Sequence, residues 1–241
     1  MELTAETLPY VEGKEFNDVL PLKVEQAEGP QDRMGFVEDL VRGKTALHIG
    51  CLDHVPLIQQ RLQNNRWLHG RISQSASTCL GIDINQAGIE FARTQLNITN
   101  ICYGDITDPH PIDAIASKHW DYVIFGEVIE HVDSPVLFLR TFAATYGNCI
   151  DRIVITVPNA FKASNIRLAF KSLEVINSDH RYWFTPYTIW KVVHQAGLQV
   201  EQIQMCKFDH TGNALREKVR DFVLSKIPLL AEDIVVVCRQ P

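Results

Sequence analysis

The stretch "WDYVIFGEVIEHV", residues 120–132, joins an apolar run to a group of acidic and imidazole side chains. Residues 120–126 have the length, the aromatic and β-branched content and the closing glycine of a buried strand. Glu127, Glu130 and His131 follow in an E-x-x-E-H arrangement. If the backbone turns helical after Glu127, this spacing places all three side chains on one face. The pattern by itself fits a solvated helix start, an acid–base cluster or a metal site.

Further strand-like runs lie on both sides of this stretch, at residues 45–50, 78–84, 100–105, 151–158, 198–206 and 233–238. Helical patterns separate them, at residues 33–44, 55–67, 87–96, 135–146 and 185–197. Short apolar strands that alternate with helices indicate βαβ units and a mostly parallel sheet. Ligands bind at the carboxyl ends of such strands. Gly50, Asp83, Asp105 and Glu127 stand at those ends, so the sequence predicts a ligand site there.

The composition is that of a globular protein, with 241 residues, a hydrophobic fraction of 46% and a net charge of −6. The acidic balance argues against broad, non-specific nucleic-acid binding. The six cysteines contain no C-x-x-C pair and are expected to be reduced core residues of a cytoplasmic protein. No signal peptide is visible, and no run reaches the roughly 18 apolar residues of a membrane span.

The chain is expected to form a single domain over residues 1–241, with an N-terminal helical segment at residues 1–42. Two stretches interrupt the alternation of strands and helices. Residues 160–182 place basic side chains around apolar ones, and residues 208–231 have the pattern of an amphipathic helix. Either stretch can shape a substrate pocket or lid, or can simply pack against the domain.

The segment "ALHIGCLDH", residues 46–54, puts Gly50 at the end of the first strand, where the backbone can approach a ligand closely. It lacks the G-x-G-x-x-G pattern, which argues against a nicotinamide dehydrogenase. Asp83 can accept hydrogen bonds from both hydroxyls of a ribose, and Asp105 can accept one from an adenine amino group. Each acid alone fits a helix cap or a loop charge equally well, but the ordered series points to a site.

With these motifs, the chain resembles the class I S-adenosylmethionine-dependent methyltransferases, in the broad group that includes ubiquinone O-methyltransferases. The resemblance covers about residues 36–207 and rests on "ALHIGC", "CLGIDIN", "YGDITD", "DYVIFGEVIEHV", "IVITVPN" and "DHRYWFTPYTIWKVVHQAGL". It implies an α/β, Rossmann-like methyltransferase fold, with a mostly parallel seven-stranded sheet, helices on both faces and an antiparallel last strand. It also implies S-adenosylmethionine as the cofactor and S-adenosylhomocysteine as its product.

The resemblance implies that Gly50 and Cys51 pass their backbone beside the amino-acid part of the cofactor and that Glu127 lies near its methionine part. The first motif departs from the family, which usually has an acid at His48 and glycines at Leu52 and His54. His48 can replace the acid near the cofactor's ammonium group only while its imidazole is neutral.

The adenosine part of the cofactor is implied to bind at the next two strand ends. By resemblance, Asp83 would hold the ribose and Ile84 would pack on the adenine. Asp105 and Ile106 would complete the adenine pocket.

The E-x-x-E-H pattern is also similar to the metal-binding motif of ubiquinone O-methyltransferases and of small-RNA 2′-O-methyltransferases. The latter have a further histidine downstream, and His180 stands at the matching place. The resemblance therefore implies that Glu127, Glu130, His131 and His180 bind a divalent ion such as Mg²⁺, which would hold a substrate hydroxyl. In the alternative, Glu130 caps the chain or faces solvent, and the two histidines line the pocket without a metal.

The resulting hypothesis is a methyltransferase that acts on a hydroxyl of a small molecule or glycan. Its candidate catalytic residues are Glu127, His131 and His180, with a histidine as the base. RNA 2′-O-methylation is an alternative suggested by His180, although the acidic net charge disfavours it. A catalytically silent binding protein with a methyltransferase fold is a third possibility, because His48, Leu52 and His54 alter the first motif.

Overall fold

The computed structural model describes residues 6–26, 29–108, 110–208 and 213–241. Its strands are β1 (Gln31–Asp32), β2 (Thr45–Ile49), β3 (Thr78–Asp83), β4 (Ile101–Tyr103), β5 (Trp120–Gly126), β6 (Ile150–Pro158), β7 (Gln199–Lys207) and β8 (Asp233–Arg239). Its α-helices are α1 (Leu8–Glu12), α2 (Arg33–Val41), α3 (Val55–Gln63), α4 (Leu68–Ser75), α5 (Gln86–Leu96), α6 (Asp113–Ala116), α7 (Pro135–Tyr146), α8 (Ala163–Ala169), α9 (Pro186–Gln195) and α10 (Ala214–Lys226).

The strands form one sheet in the order β1-β7-β8-β6-β5-β2-β3-β4. Every neighbouring pair is parallel except β8, which is antiparallel to both β6 and β7. The predicted seven strands and the antiparallel last strand are therefore confirmed. An eighth strand, the two-residue β1, pairs with the end of β7 through Gln31 and Cys206. Its two residues are too few to give a periodic signal in the sequence.

Helices cover both faces of the sheet, as alternate residues of β5 demonstrate. Val123 and Phe125 belong to a core cluster that includes residues of α7 and α9. Ile124, which points the other way, belongs to a second cluster that includes residues of α2 and α4. Because helices pack on both faces of the sheet, both sets of alternating side chains are buried. The strands therefore appear in the sequence as continuous apolar runs.

Several predicted boundaries are wrong in detail. The helix expected over residues 55–67 ends at Gln63 as α3, since Asn65 takes a left-handed φ of 53°, and a separate helix, α4, begins at Leu68. The possible helix after Glu127 is absent, since Glu127 has a φ of 59° and α7 begins only at Pro135. Strand β4 ends at Tyr103, so Asp105 lies two residues beyond it.

The N-terminal segment is helical only in α1 and α2 among its described residues, while residues 1–5, 27 and 28 lie outside the described chain. In the second insertion α10 is present, and residues 209–212 lie outside the description. All six cysteines are free; Cys51, Cys206 and Cys238 are buried, whereas Cys79, Cys102 and Cys149 are only partly buried. Among the described helices, none combines the length and the apolar character needed to cross a membrane.

Candidate active site

The carboxyl ends of β2, β3 and β4 lie side by side and are joined by backbone hydrogen bonds. The Gly50 N–H donates to Ile82 O over 2.9 Å, and the Gly104 N–H donates to Asp83 O over 3.0 Å. Gly50 has a φ of +67°, and a Cβ there would lie 2.7 Å from Val128 Cγ2. Only glycine fits this position, because it combines a left-handed φ with close approach of the turn after β5.

The Asp83 carboxylate connects the loop after β2 to the end of β3. One oxygen accepts from the Leu52 N–H and the other from the Asn85 N–H, each over 2.9 Å. Asp83 is buried, and each carboxylate oxygen retains a further lone pair for another donor. The arrangement leaves acceptors at the position where the ribose was predicted.

The residues expected around the adenine differ in exposure. Ile106 is buried, whereas Ile84 is 68% exposed and Asp105 is also exposed. One oxygen of Asp105 accepts from both the N–H and the hydroxyl of Thr107. Asp105 therefore fixes the turn after β4 while its other oxygen is available to a ligand.

The altered first motif is accommodated by the neighbouring helix. A Cβ on Gly88 of α5 would lie 2.8 Å from the Leu52 side chain, so Leu52 packs in the space that Gly88 leaves. The Trp67 indole N–H donates to the Cys51 carbonyl over 3.1 Å and holds the same loop from the other side. The bulk of Leu52 is thus directed towards α5.

Glu127 is held by Arg33, a residue that no sequence motif placed at this site. The Arg33 guanidinium lies 3.0 Å from Glu127 Oε1 and 3.2 Å from Asp233 Oδ2, and it donates to Thr156 Oγ1. Burial and the nearby Glu127 carboxylate raise the pKa of Asp233 well above its ordinary value, and Arg33 opposes that rise. Arg33 and Asp233 come from opposite ends of the chain, and no local motif signals their pairing.

Glu130, His131 and His180 form a compact group whose ligand atoms all lie within 4.8 Å of one another. The first insertion brings His180 there: the Arg181 N–H donates to Glu130 O over 2.8 Å, and the Tyr182 hydroxyl donates to Asp133 O over 2.6 Å. The His131 and His180 rings meet edge to face at 4.6 Å. Glu127 lies outside this group, and its Oε1 is paired with Arg33.

The electrostatics of this group centre on Glu130, whose side chain is fully buried. Neither of its carboxylate oxygens has a hydrogen-bond partner among the described residues, and His180 Nε2 is 4.0 Å away. Burial, with a smaller contribution from Glu127, raises the pKa of Glu130 to about 9. Burial and the neighbouring His131 lower the pKa of His180.

Two cavities meet at His131. The larger, of about 1060 Å³, is bounded by the loop after β2, by Glu127, and by Val175, Ile176 and His180 of the first insertion. The smaller, of about 420 Å³, lies between Ile106 and the start of α7. Together they extend from Ile106, beyond β4, to the first insertion, and His131 lines both.

His48 lines the larger cavity, and neither of its ring nitrogens has a partner among the described residues. Burial, together with the stacked His69 ring at 5.5 Å, lowers the pKa of His48 well below its ordinary value. The imidazole is therefore neutral at physiological pH and presents one donor and one acceptor. A neutral imidazole is the form that His48 would need in order to replace the acid that the family usually has at this position.

A family model described as "Methyltransferase domain" matches residues 36–203, which is more than half of the chain. The chain belongs to this methyltransferase family. The family membership and the Rossmann-like methyltransferase fold expected from the sequence are thereby confirmed. Among curated proteins, no significant match to the sequence was found.

Solved structures of similar fold are methyltransferases. The small RNA methyltransferase HEN1 aligns with a TM-score of 0.55 and 15% identity, over 90% of this chain and 27% of that one. Magnesium protoporphyrin IX methyltransferase from Synechocystis PCC 6803, with bound SAH, aligns with a TM-score of 0.51 and 12% identity, over 86% of this chain and 78% of that one. The methyltransferase domain of bacterial CtHen1-CN aligns with a TM-score of 0.51 and 16% identity, over 86% of this chain and 97% of that one. At these identities the likeness concerns the fold.

Proposed function

We propose that this methyltransferase transfers the methyl group of S-adenosylmethionine to a hydroxyl of a small molecule or glycan. The observation that carries the proposal is the Glu130–His131–His180 group beside the larger cavity, into which the Gly50 loop also opens. A cofactor beside the Gly50 loop and an acceptor at this group would share that cavity. The carboxyl group and the two imidazoles of this group suit a hydroxyl acceptor, which must lose a proton.

In this proposal the cofactor binds across the ends of β2, β3 and β4. Asp83 accepts from the ribose hydroxyls, with Ile84, Asp105 and Ile106 around the adenine. Gly50 and Cys51 pass beside the amino-acid part, and the neutral His48 accepts from its ammonium group. His48 then gains the partner that its buried ring lacks, and satisfying such a group is favourable.

The reaction requires in-line displacement at a sulfonium and removal of the hydroxyl proton. Holding the oxygen and the methyl carbon in attack geometry supplies much of the rate. His131, where the two cavities meet, accepts the proton in this scheme, and His180 is the alternative base. The lowered pKa of His180 keeps its imidazole neutral, as a base must be before the reaction.

Glu130, His131 and His180 also fit a divalent ion such as Mg²⁺. The fit rests on the two partnerless oxygens of the buried Glu130, which a cation would satisfy. Such an ion, when bound, lowers the pKa of a coordinated hydroxyl. Glu127, the fourth residue expected to hold it, contacts Arg33 and Thr156 through Oε1, so it would have to join through its other oxygen.

RNA 2′-O-methylation is a second candidate, because His180 completes the same group and the fold aligns with HEN1 over 90% of this chain. The cavity lining does not favour it. Basic and acidic side chains alternate there, with Arg61 paired to Asp53 and Arg33 placed beside Asp233. RNA binding relies on a continuous basic surface.

Two measurements test the proposal in sequence. Isothermal titration should show binding of S-adenosylhomocysteine; if it shows none at high protein concentration, the assignment fails. Transfer of a labelled methyl group is then measured with glycan and small-molecule hydroxyl acceptors and with short RNAs, with Mg²⁺ or with EDTA. Transfer of the label to RNA would support RNA 2′-O-methylation instead. Cofactor binding without transfer to any acceptor would indicate a catalytically silent binding protein.

Replacing Asp83 with alanine is expected to weaken S-adenosylhomocysteine binding by about 1–3 kcal/mol, because charge-assisted hydrogen bonds to the ribose are lost. Titration calorimetry measures the change. Asp121→Ala is the matched control, because Asp121 also accepts from a backbone N–H, that of Thr45, at the opposite edge of the sheet. Equal affinities of the Asp83 variant and the wild type would remove Asp83 from the cofactor site.

Replacing His131 with alanine is expected to lower turnover about 100-fold or more while leaving cofactor affinity nearly unchanged, because a positioned base is lost. Labelled-methyl transfer and calorimetry measure the two quantities. The control is His119→Ala, since His119 pairs with Asp151 on the exposed opposite edge of the sheet. A preserved rate in the His131 variant would leave His180 or the ion as the group that activates the acceptor.

A further inference from the structure

Helix α10 exposes a continuous stripe of large apolar side chains. Leu215, Val219, Phe222 and Val223 are 72%, 58%, 66% and 37% exposed, at spacings of four, seven and eight residues from the first. These spacings put all four on one side of the helix. Ile227, just beyond the helix, is also exposed and extends the same apolar surface.

The other side of α10 attaches the helix to the domain. Leu224 is buried there, Arg220 pairs with Glu217 and Glu232, and Asp221 pairs with Lys207 at the end of β7. The acidic side chains of the helix are thus directed towards the protein. The apolar stripe is not required to hold the helix in place.

Basic side chains border the exposed stripe. Arg216 and Lys218 lie on its two flanks and Lys226 lies at its end, all exposed. The charged side chains that border the stripe are therefore all basic, although the whole chain has a net charge of −6. The border of the stripe is basic, and the stripe itself consists of leucine, valine and phenylalanine side chains. A partner that fits this face is therefore both apolar and negatively charged.

We propose that α10 binds the surface of an anionic lipid bilayer. An amphipathic helix with bulky apolar residues on one side and lysine or arginine beside them lies in the interface between head groups and acyl chains. A second copy of this chain would bring like charges together, which disfavours pairing of two such faces. Lysine is depleted from protein–protein interfaces, so the basic border fits lipid head groups better than a protein partner.

The position of the helix relates this surface to the larger cavity. α10 follows β7 at the edge of the sheet where the cavity lies, and Phe208 and Glu232, on either side of α10 in the chain, line that cavity. In the first insertion, Phe170, Leu173 and Val175 are exposed, and Val175 lines the same cavity. Docking through α10 brings this edge towards the bilayer.

Co-sedimentation with vesicles tests the proposal. The full-length protein should bind vesicles of equal parts phosphatidylcholine and phosphatidylglycerol at least about 10-fold more strongly than pure phosphatidylcholine vesicles, because basic residues are attracted to anionic lipid. Val219→Ser/Phe222→Ser and, separately, Lys218→Glu/Lys226→Glu should each lower binding about 10-fold or more. Phe16→Ser, at a side chain 89% exposed elsewhere on the chain, should leave binding unchanged.

Three results would overturn the proposal. Equal sedimentation with and without vesicles would do so, as would variants that bind as the wild type does. The third is a wild-type dimer by light scattering that Val219→Ser/Phe222→Ser converts to a monomer, which would make this face an interface between copies. No cofactor is present in these measurements, so the outcome is independent of methyl transfer. The substituted side chains are exposed, and circular dichroism verifies that the variants fold.

Discussion

Arg33→Met is expected to lower the free energy of unfolding by about 3–5 kcal/mol near neutral pH, as is typical when one partner of a buried ion pair is removed. Arg33 is buried between Glu127 and Asp233, and it is the cation in contact with both. Without it, two carboxyl groups remain close together with little solvent to screen them. Urea unfolding, followed by circular dichroism, measures the loss.

Arg93→Met is the matched control, since Arg93 pairs with Glu90 where both side chains are more than half exposed. Exposed ion pairs contribute about 0–1 kcal/mol, so this variant should remain close to the wild type. Adding Asp233→Asn to Arg33→Met should restore part of the lost stability, because one of the two carboxyl groups is then neutral. If Arg33→Met costs no more than Arg93→Met, the buried cluster contributes nothing particular to folding.

Glu130 is expected to make the metal-free protein less stable as the pH rises from about 5 to 9. Its pKa is about 9 in the folded chain, against an ordinary 4.5. Between these values the folded state holds a proton that the unfolded state has released, so stability falls with increasing pH. A full proton difference changes the free energy of unfolding by about 1.4 kcal/mol per pH unit, and the sum over this range is on the order of a few kcal/mol.

Glu130→Gln removes this contribution and should be more stable than the wild type at pH values of about 8 and above. Chemical unfolding across a pH series measures the difference between the two slopes. The comparison matters because the buried Asp233 also has a raised pKa and contributes a slope of the same sign to both proteins. Glu90→Gln, at an exposed position, is the control and should retain the wild-type slope.

The Glu130→Gln variant also tests whether the Glu130–His131–His180 group binds a divalent ion. If Glu130, His131 and His180 bind Mg²⁺ or Mn²⁺, either ion should raise the unfolding temperature of the wild type at alkaline pH, because it binds the ionised carboxylate. Glu130→Gln should show little of that increase. Parallel pH profiles of the two proteins would show that Glu130 is not protonated in the fold. Equal stabilisation by metal would place the ion elsewhere.

Local sequence patterns were sufficient for most elements of the fold. The run at 120–126 coincides with β5, and Thr185, Pro186 and Gly197 mark α9 because capping and backbone preferences act within a few residues. Gly50 was expected where the backbone approaches a ligand, which stays a prediction; the structure adds that its positive φ and the nearness of Val128 also require glycine there. Such signals are strong because they depend on neighbours in the chain.

The E-x-x-E-H residues were expected to share one helical face, and their functional role was predicted from the family resemblance. Helical spacing does not bring these residues together, since a turn follows Glu127. Glu130 and His131 instead meet His180, which is held there by hydrogen bonds from Arg181 and Tyr182 to the turn. Glu127 faces Arg33, so the motif divides between two neighbouring sites.

Local patterns predicted the class of fold and most of the strand ends, because hydrophobic periodicity and turn chemistry act between near neighbours in the chain. The family was predicted from the resemblance of the quoted motifs. Which charges face one another depends on the tertiary structure. The contacts of Arg33 with Glu127 and Asp233, and that of His180 with Glu130, join residues distant in the chain. Burial then sets their protonation, because the cost of a charge depends on the solvent and the charges around it in three dimensions.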